Sequence, residues 1–138
     1  MTRYILDTDH LSLFQRGHES LKTHFVALAP EQLAITIVSV EEQFRGRLAQ
    51  VRRANLPEER VNAYYWLSKT VEFLRRFTIL PYDAAAEAYF QTILAHKIRI
   101  GVQDLKIAAI ALSQQATLLT RNKKDFGQIA SLSIEDWS

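Results

Sequence analysis

The sequence predicts an α/β protein built on a mainly parallel sheet of four to five strands, covered by helices on both faces. Three observations carry this. Short β-branched and aromatic runs (Tyr4–Leu6, Leu33–Val38, Phe77–Leu80, Ala116–Thr120) alternate with longer stretches of helical periodicity. Leu33 to Val38 is a continuous apolar and β-branched run instead of an alternating one, as in a strand buried on both faces. No repeat, low-complexity segment or linker interrupts the pattern, so residues 1–138 are expected to form a single domain.

Tyr4, Ile5 and Leu6 form the first strand, which ends abruptly in Asp7-Thr8-Asp9. Leu11 to Phe14 fits a short helix with Asp9 as a candidate cap. His18 to Leu28 fits another, with Leu21, Phe25 and Leu28 at helical spacing and Pro30 as the break. After the second strand, Leu33 to Val38, Ser39 opens a helix running to about Val51. Pro57 suits the first turn of a long helix, whose Val61, Tyr64, Leu67, Val71 and Leu74 share one face. Phe77 to Leu80 is the third strand. Asp83 then caps a helix through about Ile98, with Ala86, Tyr89, Phe90, Ile93 and Leu94 apolar. Ile100-Gly101 makes a turn, and Asp104 precedes a helix with Leu105, Ala108, Ala109 and Leu112 on one face. Ala116 to Thr120 is the fourth strand and Leu132 to Ile134 a short fifth.

With 48% hydrophobic and 23% charged residues, the composition is that of an ordinary globular domain. Cysteine is absent, which excludes disulfides, thiolate metal sites and thiol catalysis and suits a cytoplasmic protein. The apolar run at the N-terminus is too short for a signal peptide, and none is long enough for a membrane span. The net charge is only +2, but basic residues cluster at Arg45–Arg53, Arg75–Arg76, His96–Arg99 and Arg121–Lys124. A basic body around an acidic pocket suits a polyanionic substrate. Taken one at a time, these clusters also read as solvated helix faces.

In an open α/β sheet, ligands sit beyond the carboxyl ends of the strands. Asp7, Glu42, Asp104, and Asn122 or Asp125 all fall just after a strand or at a helix start, so they can converge on one rim. Oxygen-rich side chains in such a cluster suit Mg²⁺ or Mn²⁺. His10, His18, His24 and His96 lack the spacing of a zinc site. Each candidate also has a plainer role. Asp7 could be a strand-end turn acid, Asp104 an N-cap, Asp125 a surface acid and Asn122 a turn residue. Glu42 stands third after Ser39, a capping-box pattern. Thr8 and Thr120 could be strand-end hydroxyls or could hold ligand rotamers.

The stretches ILDTDH, ITIVSVEEQFRG, IGVQDLKIAAIAL and LLTRNKKDF, in that order across the chain, resemble the motifs of PIN-domain ribonucleases. They are most similar to the VapC toxins of bacterial toxin–antitoxin pairs, and the ending SIEDWS resembles the tail of some members. The resemblance implies a PIN-like three-layer α/β/α sandwich and a Mg²⁺- or Mn²⁺-dependent endoribonuclease site. Asp7, Glu42 and Asp104 match its first three acids, and Asp125 or Asn122 the fourth. Thr120 matches a strand-end hydroxyl. Asp9 and His10 depart from the commoner Asp-Thr-Asn opening. An RNA substrate, a homodimer and a small antitoxin partner are implied as well.

Two other functions fit parts of the sequence. One is a haloacid-dehalogenase-type phosphohydrolase with Asp7-Thr8-Asp9 as its DxD opening, although Leu11 stands where Thr or Val is usual. The other is an inactive PIN-like module that binds RNA or protein. Tyr64, Tyr65, Trp66 and Phe73 crowd the long helix, which suits either core packing or a docking surface for an antitoxin or second subunit.

Overall fold

Five short parallel strands form one sheet in the order β3-β2-β1-β4-β5 in the computed structural model, which describes residues 2–138. They are β1 (Tyr4–Leu6), β2 (Leu33–Thr36), β3 (Thr78–Leu80), β4 (Thr117–Leu119) and β5 (Ser133–Glu135). Two helices, α1 (Thr8–Gln15) and α2 (Glu19–Val26), join β1 to β2. The long pair α3 (Ile37–Arg53) and α4 (Pro57–Leu74) joins β2 to β3. The pair α5 (Ala84–Ala95) and α6 (Val102–Ser113) joins β3 to β4, and the single turn α7 (Lys123–Phe126) precedes β5.

The apolar strands fill two cores because successive side chains point to opposite faces. Ile5, Ala34, Leu80 and Leu118 face one core, completed by Leu105 and Ile107 to Ala111 of α6 and Ala86 and Ile93 of α5. Leu6, Ile35 and Leu119 face the other, with Leu11 of α1, Val40 of α3 and Leu74 of α4. Phe14, Phe25, Phe73 and Phe77 pack around that second core, so helices cover the sheet on both sides. The register aligns Ile5 with Ala34 and Leu118, which brings the carboxyl ends of β1, β2 and β4 to one level.

Several boundaries differ from the sequence reading, each for a local reason. β2 stops at Thr36, not Val38, because the Thr36 hydroxyl accepts the Ser39 amide at 3.2 Å and caps α3. Ser39 is therefore inside the helix, and the expected Ser39–Glu42 capping box does not form. The first helix starts at Thr8, capped by Asp7 and not by Asp9. Helix α5 ends at Ala95, short of Ile98, because Lys97 takes a left-handed conformation with φ of 54°. Asp104 is the third residue of α6, whose N-cap is Gly101.

The largest departure is in α4. Its buried residues are Ala63, Thr70 and Leu74. Of the expected apolar face, Val61, Tyr64 and Val71 lie exposed. Small Ala63 fits beneath neighbouring elements, and Thr70 is satisfied by the Arg47 guanidinium, whose Nε donates to its hydroxyl at 3.0 Å. No helix among the described residues is long and apolar enough to cross a membrane.

Candidate active site

The chain runs outward from β1 to β2 and β3, then crosses to β4 on the other side of β1. The sheet's topological switch point therefore lies between β1 and β4, where a crevice opens at the strands' carboxyl ends. Asp7 leaves β1 there, and Thr120 leaves β4 beside it. The Asp7 amide donates to the Leu119 carbonyl at 3.1 Å, which ties the two strand ends together. A cleft of about 620 Å³ opens at this point, and Asp7, Thr8, Asp9, Asp104, Arg121 and Asn122 line it.

Asp7 is 5% exposed. Its Oδ1 accepts the His10 amide at 2.7 Å, capping α1, while its second oxygen remains for the cleft. The turn-acid role and a site role thus coexist in one carboxylate. Asp104, half-buried in the first turn of α6, feels two opposed influences. The helix N-terminus favours its charged form. Burial, followed by the carboxylates of Asp7, Glu42 and Asp125, pushes its pKa up from the usual 3.8.

Glu42 stands on α3 at the edge of an adjoining hollow shared with Thr8, Gln43 and Arg47. The Thr8 hydroxyl donates to Glu42 Oε1 at 2.8 Å and lies 3.2 Å from the Ser39 hydroxyl. Thr8, expected to hold a ligand rotamer, holds that of Glu42. Thr120 is fully buried, and its hydroxyl accepts the Asn122 amide at 2.9 Å. Asn122 caps α7: its Oδ1 accepts the Asp125 amide at 3.3 Å, and its Nδ2 donates to Asp125 Oδ2 at 2.9 Å. Asn122 lines the main cleft, and Asp125 is joined to it through the Asn122 side chain.

Sequence reasoning missed two features. Asp9 does not cap α1. Arg121 grips it with a two-pronged ion pair of 2.7 and 2.9 Å, which lowers the Asp9 pKa. His10 is buried beneath Asp7, against the C-terminal Asp136-Trp137. Only the resemblance of the SIEDWS ending hinted at a role for that tail. Ligand atoms of Asp7, Asp9 and His10 also lie within 4.8 Å of one another. That trio makes a poor ligand set, because Arg121 occupies Asp9 and the Trp137 amide takes the His10 Nε2 lone pair. Asp7 and Asp104 line the same cleft, and with Glu42 of the adjoining hollow they offer oxygens only, the donor type a hard divalent cation takes.

The PIN-domain family model matches residues 4–132. The chain belongs to the PIN-domain family. Ribonuclease VapC2 of Haemophilus influenzae is 27% identical over 142 aligned positions, covering 99% of each chain. The tRNA(fMet)-specific endonuclease VapC of Shigella flexneri is 26% identical and covers 100% of both. Among solved structures, VapBC2 from Rickettsia felis, bound to a DNA fragment from its promoter, is similar with a TM-score of 0.77. It is 27% identical and covers 99% of this chain and 100% of that one. The DNA-bound VapBC of Salmonella typhimurium reaches a TM-score of 0.79 at 24% identity, with 100% of both chains covered, a likeness of fold. Membership of this family sets aside the haloacid-dehalogenase reading, and the Arg121 grip on Asp9 removes the second acid that reading needs.

Proposed function

We propose that this PIN domain, residues 1–138, is a Mg²⁺- or Mn²⁺-dependent endoribonuclease that acts in the cytoplasm as the toxin of a toxin–antitoxin pair. The observation that carries the reading is the convergence on Asp104 of three carboxylates from separate elements, Asp7, Glu42 and Asp125, at the switch point of the sheet. The ribonuclease names of full-length relatives support the activity. Asp7 and Asp104 would hold the ion, with Glu42 as a third oxygen donor oriented by Thr8. When bound, the ion supplies a Lewis acid that stabilises charge on the phosphoryl oxygens and lowers the pKa of water. The chain's own part is to place oxygens, present Asn122 at the cleft edge and offer Arg121, Lys123 and Lys124 to backbone phosphates. Purified protein should cleave RNA with Mg²⁺ or Mn²⁺ and stop in chelator. RNA binding without cleavage would make it a binding module instead.

Metal occupancy has a second readout. Mn²⁺ that binds only the folded state raises the melting temperature, and Mn²⁺ at 100 times its dissociation constant adds about 2.7 kcal/mol. The shift should vanish in an Asp7→Asn, Asp104→Asn double variant. An undiminished shift there would place the ion elsewhere.

The partner reading rests on α4. Tyr64, Tyr65 and Trp66 are 56%, 51% and 41% exposed, whereas Phe73 packs into the second core. Trp66 meets Tyr65 edge-on at 5.3 Å and carries Arg47 over its ring, giving a preformed aromatic and cationic surface. We assign this face to a small antitoxin, since the Rickettsia felis relative is solved as VapBC2. Homodimerisation is a companion proposal. Tyr65→Ala with Trp66→Ala should weaken antitoxin binding about 30-fold or more, the cost of losing anchor residues, while free-enzyme cleavage stays the same. Unchanged affinity in a binding titration would move the antitoxin to another face.

A further inference from the structure

We propose that His10 is a positioning residue for Asp7, and that the C-terminal tail sets it. His10 has no exposed surface, and its Nδ1 is the one buried side-chain nitrogen or oxygen without a hydrogen-bond partner among the described residues. Its Nε2 accepts the Trp137 amide at 3.3 Å. The hydrogen-bond network therefore assigns the ring proton to Nδ1. That N–H has one acceptor in view, Asp7 Oδ1, at 3.6 Å. A buried donor with no acceptor costs about 1–3 kcal/mol, so its persistence needs a reason.

The geometry supplies one. The His10 backbone amide already donates to the same Asp7 oxygen at 2.7 Å. A small turn of the Asp7 carboxyl closes the Nδ1 contact as well, since hydrogen bonds in resting active sites are often long and tighten on loading. Two donors on Oδ1 hold the second oxygen toward the cleft. Outer groups of this kind orient metal-binding carboxylates. The inference thus rests on the reading of Asp7 as a metal ligand.

The tail is anchored well enough to act. The Thr120 amide donates to the Glu135 carbonyl at 2.9 Å, and the Ser20 hydroxyl donates to the Trp137 carbonyl at 2.8 Å. The Trp137 indole stacks on His24 at 4.7 Å, packs on Tyr4 at 4.6 Å, and donates from Nε1 to Glu135 at 3.0 Å. Trp137 is thereby fixed with its amide aimed at the His10 ring.

Calorimetric titration of Mn²⁺ alone into the full chain tests this, alongside the melting temperature without metal. His10→Phe, which keeps the ring and loses the donor, should weaken Mn²⁺ binding about tenfold or more. His10→Asn, whose Nδ2 stands where Nδ1 stood but which loses the acceptor of the Trp137 amide, should bind Mn²⁺ more tightly than His10→Phe and no more tightly than the parent. Deleting Asp136–Ser138 should weaken binding in the same direction as His10→Phe. If His10→Phe melts lower but binds Mn²⁺ like the parent, or if His10→Asn is as weak as His10→Phe, the positioning role is overturned. Parent-like binding by the deletion variant overturns the role of the tail. Asp7→Asn serves as the control: retained Mn²⁺ affinity there overturns the ligand reading of Asp7 itself, a failure separate from that of His10.

Discussion

Asp7→Asn is expected to lower RNA cleavage about a thousandfold or more, a loss of about 4 kcal/mol of transition-state stabilisation, with the fold intact. The cap survives, because an asparagine Oδ1 accepts the His10 amide as well as a carboxylate does. What disappears is the charge directed into the cleft. Asp104→Asn should behave alike in activity, and the fall should be in kcat with little change in KM, since the basic residues offered to the RNA backbone, Lys123 and Lys124, remain. Undiminished cleavage by either variant would sink the metal-site assignment.

Asp104→Asn carries a second expectation, on stability. Folding raises the proton affinity of this carboxyl above its usual 3.8. The folded chain then binds more protons than the unfolded one between 3.8 and the raised value. The contribution of Asp104 to stability is therefore fullest below 3.8 and is lost as pH climbs through the raised value. Asparagine does not titrate, so the variant lacks that decline and should melt a few degrees higher at neutral pH without divalent ions. Equal melting temperatures would show that solvent screens the carboxylate crowd.

The reach of the sequence differs between core and site. The four longer strand runs were legible because each is rich in apolar and β-branched residues, and the fifth, Ser133–Glu135, was marked only by Leu132 and Ile134; the structure adjusts their ends by one or two residues. The Thr36 cap was not legible, because Ile37 and Val38 are β-branched and extend the strand-like run beyond the residue whose hydroxyl starts the helix. The buried face of α4 was hidden for the opposite reason. Its contact residues are a small Ala63 and a hydrogen-bonded Thr70, while large apolar residues stay outside. Asp7 at a strand end and Asp104 in the first turn of a helix stand where the sequence reading put them, whereas Glu42 lies in the second turn of α3 and not at its start. Which oxygen each acid uses, and for what, depends on partners far along the chain. Thr8 reaches Glu42 across 34 positions, Arg121 reaches Asp9 across 112, and Trp137 reaches His10 across 127. No local pattern encodes such pairs.

The fourth position is where those long and short contacts meet, and Asp125→Ala is expected to cut cleavage about 100-fold while sparing tight binding of the first ion. Asn122 borders the cleft, and Asp125 reaches it through Asn122, accepting its Nδ2 at 2.9 Å while donating an amide to its Oδ1. Thr120 fixes the same residue from the other side through the Asn122 amide. Asp125 also adds charge near Asp104, but it ranks behind burial, Asp7 and Glu42 in raising that carboxyl's pKa. The direct hydrogen bond to Asn122 is the contact through which Asp125 can position the cleft edge. Asp125→Asn separates the two: it keeps an acceptor for Asn122 and loses the charge, so it should retain most activity where Asp125→Ala does not. Asn122→Ala removes the side-chain amide that Asp125 holds, keeps the backbone amide that Thr120 accepts, and should be at least as damaging as Asp125→Ala. If Asp125→Ala cleaves like the parent while Asn122→Ala is dead, the fourth role belongs to Asn122 alone. If Asp125→Asn is as inactive as Asp125→Ala, the charge is what the site requires.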